Sequence, residues 1–517
     1  MSIRLAVSLP ALLSGPLLCL AAQAAAPAKS EDPAQLIFPT VGALPGDLDG
    51  SFGNGGRMTI ATDPAPTLED RAIIAAPRAG GGYLVYGFHP STGDIVINAR
   101  TDAGAIDSSF GVNGRVVHDR QFLTVEAAAI DSLGRVVIVG NSREPGAPGS
   151  DFDPYVCRFS ATGFPDTNFG GAAACVLYPV DIIANGADYA TAVALDGGSI
   201  YVAGQMQRDT LDDYDFLVLK IRATDGTLVT TFDGDGMLFI PFDVNQTAPG
   251  GDTDGALAIA RDGETGLYIA GYADNDNDFD NDWVIAKVDI FSGTYATSFC
   301  ATQSDCPGSE RLAGRRHLPI ITTFGANNEA IEAMAVGSDG NLVVAVKRNT
   351  ELNGTVYQQI ETLKLHPTSG ATLANERDAR ALLKYTTVEN LGIDAAGNVL
   401  LSGVTSAELG LFGADPQRIL FITRLTGTLD GDTGFASSLG GGTSATALYD
   451  FPRAAGSTLL DHRSSELVLD ASQRIVVAGA RLWRRDPANN IFDEDHAVLR
   501  LNGNAVLGPN IFANGFE

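Results

Sequence analysis

Short apolar runs and tight polar turns alternate along almost the whole chain, and the runs recur in a fixed order. A first run is apolar and short, as in residues 125–131 (VEAAAID), 191–196 (TAVALD), 330–336 (AIEAMAV), 388–394 (VENLGID) and 465–470 (SELVLD). A turn rich in Gly, Asn and Asp follows, residues that tolerate the positive φ of a hairpin. The second run is β-branched and ends in a small residue: YLVYG (83–87), RVVIVG (135–140), SIYVAG (199–204), GLYIAG (266–271), NLVVAV (341–346), NVLLSG (398–403) and RIVVAG (474–479). Continuous apolar runs of this length predict strands buried on both faces. A terminal Gly suits a close approach of two backbones.

A third run follows a variable loop, at 94–102, 155–160, 215–221, 282–289, 361–366, 419–426 and 496–502. Its apolar and polar positions alternate, as in a strand with one covered face. The fourth part is a phrase, Leu-Asp-x-Ser-Phe-Gly-x-x-Gly-Arg, with a strand after it. It is clearest at 48–59 and 106–117, weaker from 164, 228 and 294, and decayed from 429. Its anchoring aromatics are Phe52, Phe110, Phe169, Phe232, Phe299 and Phe435, recurring roughly every 60 residues, with one copy lacking its Phe.

Four short antiparallel strands per unit, in seven units, predict an all-β fold: a seven-bladed β-propeller of four-stranded antiparallel blades. The unit from Ser465 to Asn502 lacks a fourth strand, and the chain begins with a spare one at 48–60. The ring is therefore expected to be closed by an N-terminal strand, which removes an open sheet edge.

The first residues read as an export signal at 1–24: Arg4, an apolar stretch from Leu5 to Leu20, and Ala22-Gln23-Ala24 for cleavage. Residues 25–45 read as a leader, and 46–517 as a single propeller domain. Cys19 follows Leu18, where a lipid anchor requires a small residue, and no later stretch predicts a membrane span. The expected location is the periplasm or the outside of the cell. Cys157, Cys175, Cys300 and Cys306 remain after cleavage. Their even number and close spacing predict the bridges Cys157–Cys175 and Cys300–Cys306.

The formal net charge is −28, and loss of Arg4 makes it one unit more negative. Such a surface repels phosphate backbones and anionic headgroups, so neither nucleic acid nor membrane is an expected partner. The ring is expected to be monomeric, with an extracellular protein or glycan as partner.

The phrase at 48–59 and 106–117, with Asp-x-x-Gly-Arg-Val-Val-Ile-Val-Gly at 131–140, resembles the delta-60 repeat of exported bacterial proteins, whose repeats build β-propellers. The resemblance implies a blade and no particular chemistry, and it carries no catalytic residue onto this chain.

Variable loops on a rigid scaffold are the usual binding face. Here acids and aromatics gather between second and third strands. Trp483, Arg484, Phe492, Phe412 and Phe279 are candidate contacts for a protein or glycan, expected in loops; packing over a blade edge is the competing reading. Asp274, Asp276 and Asp278 alternate as in a calcium loop, although Phe279 stands where the helix-loop-helix motif needs Gly and Ile285 where it needs Glu. A solvated acidic turn is the alternative, and no other cofactor is expected. The six histidines share no repeat position or ligand spacing, and no nucleophile elbow or nucleotide-binding loop is present. With 62 acidic residues, the sequence singles out no pair for sugar hydrolysis. The expected function is a non-catalytic binding or surface-interaction module, against the alternative of a propeller hydrolase or lyase acting on extracellular polysaccharide.

Overall fold

Strand Arg57–Ile60 lies antiparallel beside Ile491–Leu501, with Met58 opposite Val498 and Thr59 opposite Ala497. The first strand of the described chain thus completes the last sheet, as the spare N-terminal motif predicted. In this computed structural model all the described residues belong to one unit, 37–517. The structure describes residues 41–503 apart from 61–70, 79–80, 90–92, 120–121, 145–150, 181, 210–212, 243–252, 275–280, 303, 307–309, 313, 318–328, 353–354, 378–382, 408–417, 436–444, 450–460 and 487–490.

Seven antiparallel sheets form the ring. Blade one comprises Arg71–Pro77, Tyr83–His89, Asp94–Arg100 and Arg115–Asp119. Blade two comprises Thr124–Ile130, Val136–Ser142, Asp153–Phe159 and Cys175–Leu177. Blade three comprises Tyr189–Leu195, Ser199–Gln207, Tyr214–Arg222 and Met237–Ile240. Blade four comprises Gly255–Arg261, Gly266–Asp274, Asn281–Asp289 and Arg315–His317, with an additional edge strand, Glu310–Leu312. Blade five comprises Ala330–Val336, Leu342–Leu352, Thr355–Leu365 and Thr372–Arg377. Blade six comprises Leu383–Ile393, Val399–Ala407, Arg418–Leu425 and Thr446–Tyr449. Blade seven joins Asp461–Leu469, Ile475–Asp486 and Ile491–Leu501 to Arg57–Ile60. The first strands of blades one and four escaped the sequence pattern, and blade five has a fourth strand without its Phe.

The core is divided among the joints. Each of seven buried apolar clusters lies between neighbouring blades, from blades one and two round to the closing joint of seven and one. This explains why the second runs are apolar on both faces: each sheet is sandwiched between two others.

The recurring phrase builds those joints. Phe52, Phe110, Phe169, Phe232, Phe299 and Phe435 are all buried. The residue after the Phe donates its backbone N–H to a turn of the next blade: Gly53 to Ala103, Gly111 to Thr162, Gly170 to Asp225, Asp233 to Ser292 and Cys300 to Ser369. The next blade's turn presents a left-handed glycine to the ring. At Gly163 (φ 88°) an added Cβ would stand 2.5 Å from the Phe110 ring. A third-strand cation crosses the same joint. Arg158, Lys220, Lys287, Lys364 and Arg500 donate to carbonyls of Ala223, Ile290, Pro367, Gly427 and Asp102. Where the cation is Arg158, Arg424 or Arg500, the Asp of the phrase pairs with it (Asp166, Asp432, Asp49). Where it is Lys220 or Lys287, Val229 or Ala296 replaces the Asp. Blade one has Ala99 there, and Arg78 reaches Asp107 and the Phe110 ring from a neighbouring turn.

The terminal Gly of the second strand answers a bulge in the first. The register slips between Val125 and Ala127, Ala190 and Ala192, Ala256 and Ala258, and Val388 and Asn390. A Cβ on Gly140, Gly204, Gly271 or Gly403 would overlap the carbonyl oxygen of Thr124, Tyr189, Gly255 or Thr387. Two of the same joints are stitched again at this level: Asn141 exchanges hydrogen bonds with the backbone of Ala190, and Thr191 Oγ1 donates to Ala256 O.

Candidate functional site

First-to-second and third-to-fourth turns share one end of the ring; second-to-third loops and blade-to-blade connections share the other. The sequence placed function on this second, long-loop face. Phe412, Phe279, Asp276 and Asp278 lie outside the described residues. Asp274 ends its strand opposite Asn281. The backbone of Trp483 and Arg484 is extended within Ile475–Asp486, and Phe492 lies in Ile491–Leu501. The expected loop is therefore a hairpin continuing past the sheet, with Trp483 opposite Asp493 and Arg484 opposite Phe492. Two hydrogen-bonded strands satisfy the backbone of this polar segment, which alternation alone did not reveal. Among the described residues, no group of three or more His, Cys, Asp or Glu side chains could hold a metal ion.

On the same face a set of acids occupies a repeat position that the sequence reading missed. Asp94, Asp153, Asp215, Asp282 and Asp495 each open a third run, five residues before the joint cation or its counterpart. Asp153, Asp215 and Asp282 are buried, and so is a second acid that precedes each next blade's first strand: Asp188, Asp254 and Glu329. The backbone of that second acid docks one residue before the first: Asp188 N–H to Phe152 O, Asp254 N–H to Tyr214 O, and Glu329 N–H to Asn281 O, each 2.7 Å.

At two of these joints the carboxylates cap backbone. Asp188 accepts from Gln207 N at 2.8 Å and Asp254 from Phe242 N at 2.7 Å. The joint of blades four and five is chemically different. His317 Nε2 lies 2.8 Å from Asp282 Oδ2, both side chains nearly inaccessible. Glu329 Oε1 accepts from Arg348 Nε at 3.1 Å, Arg348 Nη1 donates to Glu361 Oε2 at 2.5 Å, and Glu361 Oε1 accepts from Arg377 Nε at 3.2 Å. Among the described residues, His317 Nδ1 and Glu329 Oε2 are buried without a hydrogen-bond partner, which is uncommon for buried polar atoms.

Burial pushes the Glu329 carboxyl up to about 8; Arg348 opposes the shift, and the Asp282 and Glu361 charges add to it. The joint thus sets a carboxyl of raised pKa close to the Asp282–His317 hydrogen bond. His317 was one of six scattered histidines in the sequence; 35 positions separate it from Asp282. Pairing of the third and fourth strands of blade four brings them together.

No family model matches the sequence, and no curated protein matches it. Among solved structures, one similar chain is a subtype N11 neuraminidase-like protein of A/flat-faced bat/Peru/033/2010 (H18N11), at 10% identity over 92% of this chain and 100% of that one, with a TM-score of 0.36. The quinohemoprotein alcohol dehydrogenase ADHIIG of Pseudomonas putida HK5 matches at 14% identity, covering 83% and 67%, with a TM-score of 0.32. The α-L-arabinofuranosidase Arb93A of Fusarium graminearum matches at 11%, covering 74% and 94%, with a TM-score of 0.34. At these scores the matches add nothing to the propeller seen directly in the strand order.

Proposed function

We propose that this is an exported propeller of the delta-60 type whose long-loop face works on extracellular polysaccharide, as a hydrolase or lyase centred on Glu329 and the Asp282–His317 pair. The observation that carries the reading is the buried Glu329 carboxyl, raised to about 8, close to the Asp282–His317 hydrogen bond, with one polar atom each on Glu329 and His317 lacking a partner among the described residues. Cleaving a glycosidic bond by hydrolysis needs a carboxyl that still holds its proton at working pH and a second group that takes one. Eliminating across a uronic acid needs a base such as His317. Two disulfides and the N-terminal export signal support an extracellular destination. Among the described residues no helix is long and apolar enough to cross a membrane.

A second reading, binding without catalysis, is favoured by the long hairpin of blade seven, which carries Trp483, Arg484 and Phe492 past the sheet. The test is a polysaccharide panel incubated with the mature protein, Glu329→Gln and His317→Asn, with and without calcium. Reducing ends report hydrolysis and unsaturated uronates report elimination. Cleavage lost in both variants, with unchanged melting, supports the enzyme. Retention on a glycan array without cleavage of any polymer replaces it by the binding module, and neither result discards both.

A further inference from the structure

The opposite end of the ring, where the tight turns lie, carries an apolar strip on blades one and two. Ile106, Val112, Leu133 and Phe164 are 60%, 75%, 68% and 57% exposed. They are neighbours. Gly111 donates to Thr162 O, placing Val112 beside the turn of Phe164, and Gly134 lies against Ala161 of that same turn. Ile106 sits at a position that is Leu48, Pro165, Leu228 or Tyr295 in other blades, but at the other three positions those blades are small or polar. Val112 corresponds to Asn54, Gly171, Gly234 and Ala301; Phe164 to Ala105, Thr227, Thr294 and Ala371; Leu133 to Gly198, Glu264, Ala396 and Ser472. The repeat itself does not need apolar groups there. A run of exposed apolar side chains marks a contact.

The fold shows how one copy of this motif is covered. In blade seven, Leu48 occupies the place that Ile106 holds in blade one, yet Leu48 is fully buried. Residues 41–47 fold back over it: Val41 bridges to Leu48, and Gly42 N–H donates to Leu48 O at 3.2 Å. Gly50 and Gly55 leave the room that Val41 fills. Blade one has the same backbone bonds, Phe110 N–H to Asp107 O and Gly114 N–H to Phe110 O, but Ser108 and Asn113 replace the two glycines. A segment covering this copy must lie across Ile106 and Val112 instead of sinking between glycines.

One segment starts in the right place. Asn502 donates its N–H to Asp47 O and its Nδ2 to Gly42 O, so the described chain stops at the blade-seven copy of the motif. Arg500, two residues earlier, already reaches the Asp102 carbonyl, in the turn that leads into Ile106. Residues 504–517 lie outside the described residues; fully extended they reach on the order of 45 Å, ample to cross two blades. They include Ile511, Phe512 and Phe516 and a single charge, Glu517. We infer that residues 504–517 dock in extended form across the turn face of blades one and two, with Ile511 and Phe512 on Ile106, Val112 and Phe164.

The test uses the full chain carrying the photo-crosslinker p-benzoylphenylalanine in place of Phe512, with linked peptides mapped by mass spectrometry. Docking predicts links within one molecule to the peptides holding 106–112 or 164. The pair Ile106→Asp and Val112→Asp, both on exposed turns, should cut that yield at least tenfold without changing the melting temperature. Links confined to other blades, no link at all, or a yield untouched by the paired substitution overturns the docking. So do links between two molecules, which would place the segment on a second copy.

Discussion

Arg500 and Asp49 form a buried ion pair, 2.8 Å from Nε to Oδ2, across 451 positions of sequence. The same guanidinium stacks on Phe52, 4.7 Å from its ring centre, and donates to the Asp102 carbonyl of blade one. Asp49 is held below the usual carboxylate range: burial raises it, but hydrogen bonds from Ser51 and the charge of Arg500 outweigh that. One side chain therefore ties the last long strand to the N-terminal strand and both to the first blade. Removing one member of a buried pair strands the other, at a cost of about 3–5 kcal/mol. Arg500→Ala should fall in that range in denaturant unfolding; a loss under about 1 kcal/mol, the level of an exposed pair, would mean the seam is held elsewhere.

Closure also predicts a truncation result. Deleting 25–60 removes Phe52, Met58 and Ile60 from the closing joint and bares Ala497, Val498 and Leu499, so aggregation on size exclusion is expected. Deleting 25–40 leaves Val41 and the motif in place and should give a monodisperse protein with unchanged melting.

The bulge glycines separate two roles of glycine. Gly197 has φ 63° and open space around it, so Gly197→Ala should cost only the left-handed penalty of about 1–2 kcal/mol. Gly204→Ala drives a methyl into the Tyr189 carbonyl and should cost roughly 3 kcal/mol or more. Urea melts of the two variants, side by side, check the order.

The two disulfides close loops of different length, with sequence separations of 18 and 6. Cys157 and Cys175 face each other across the third and fourth strands of blade two, as the sequence predicted. On the chain-entropy account, losing the first should cost about 3 kcal/mol and losing the second about 2. Unfolding of the paired Ser variants tests the ranking; free thiols at 157 and 175 in the native protein would remove its basis.

Glu329 gives stability a pH dependence of definite sign. Its folded value is about 8 against 4.5 unpaired in water, so folding takes up a proton between those values. The contribution is fully present below 4.5 and is lost as pH rises through about 8. Melting temperature should therefore fall over that window more steeply in the wild type than in Glu329→Gln, whose neutral amide cannot titrate. Parallel curves would show that Glu329 ionises normally.

Blade count, strand order and closure were legible in the sequence because each rests on local or periodic information. Alternating runs mark strands, Gly-rich turns mark hairpins, and a phrase repeated along the chain marks the blade. The anchoring Phe residues could be named for the same reason: a repeat position carries its packing role with it. The first strands of blades one and four were missed because RAIIAAP and GALAIAR end in Pro77 and Arg261, without the apolar-Asp step that closes most of the other first runs. The Trp483–Phe492 segment was expected as a loop because a polar hairpin beyond the sheet has no apolar period.

What the tertiary structure decided is which residues meet across a joint. Each joint pairs one blade with the next, so His317 and Asp282 of blade four come to face Glu329, Arg348 and Glu361 of blade five. Charge and hydrogen-bond partners in such a place depend on distances in space, and no spacing along the chain encodes them. Every buried acid at these joints looks alike in sequence. At two of the three described joints a backbone amide donates to an acid, Gln207 N–H to Asp188 and Phe242 N–H to Asp254, while the third supplies His317 and Arg348, and burial there raises the Glu329 carboxyl.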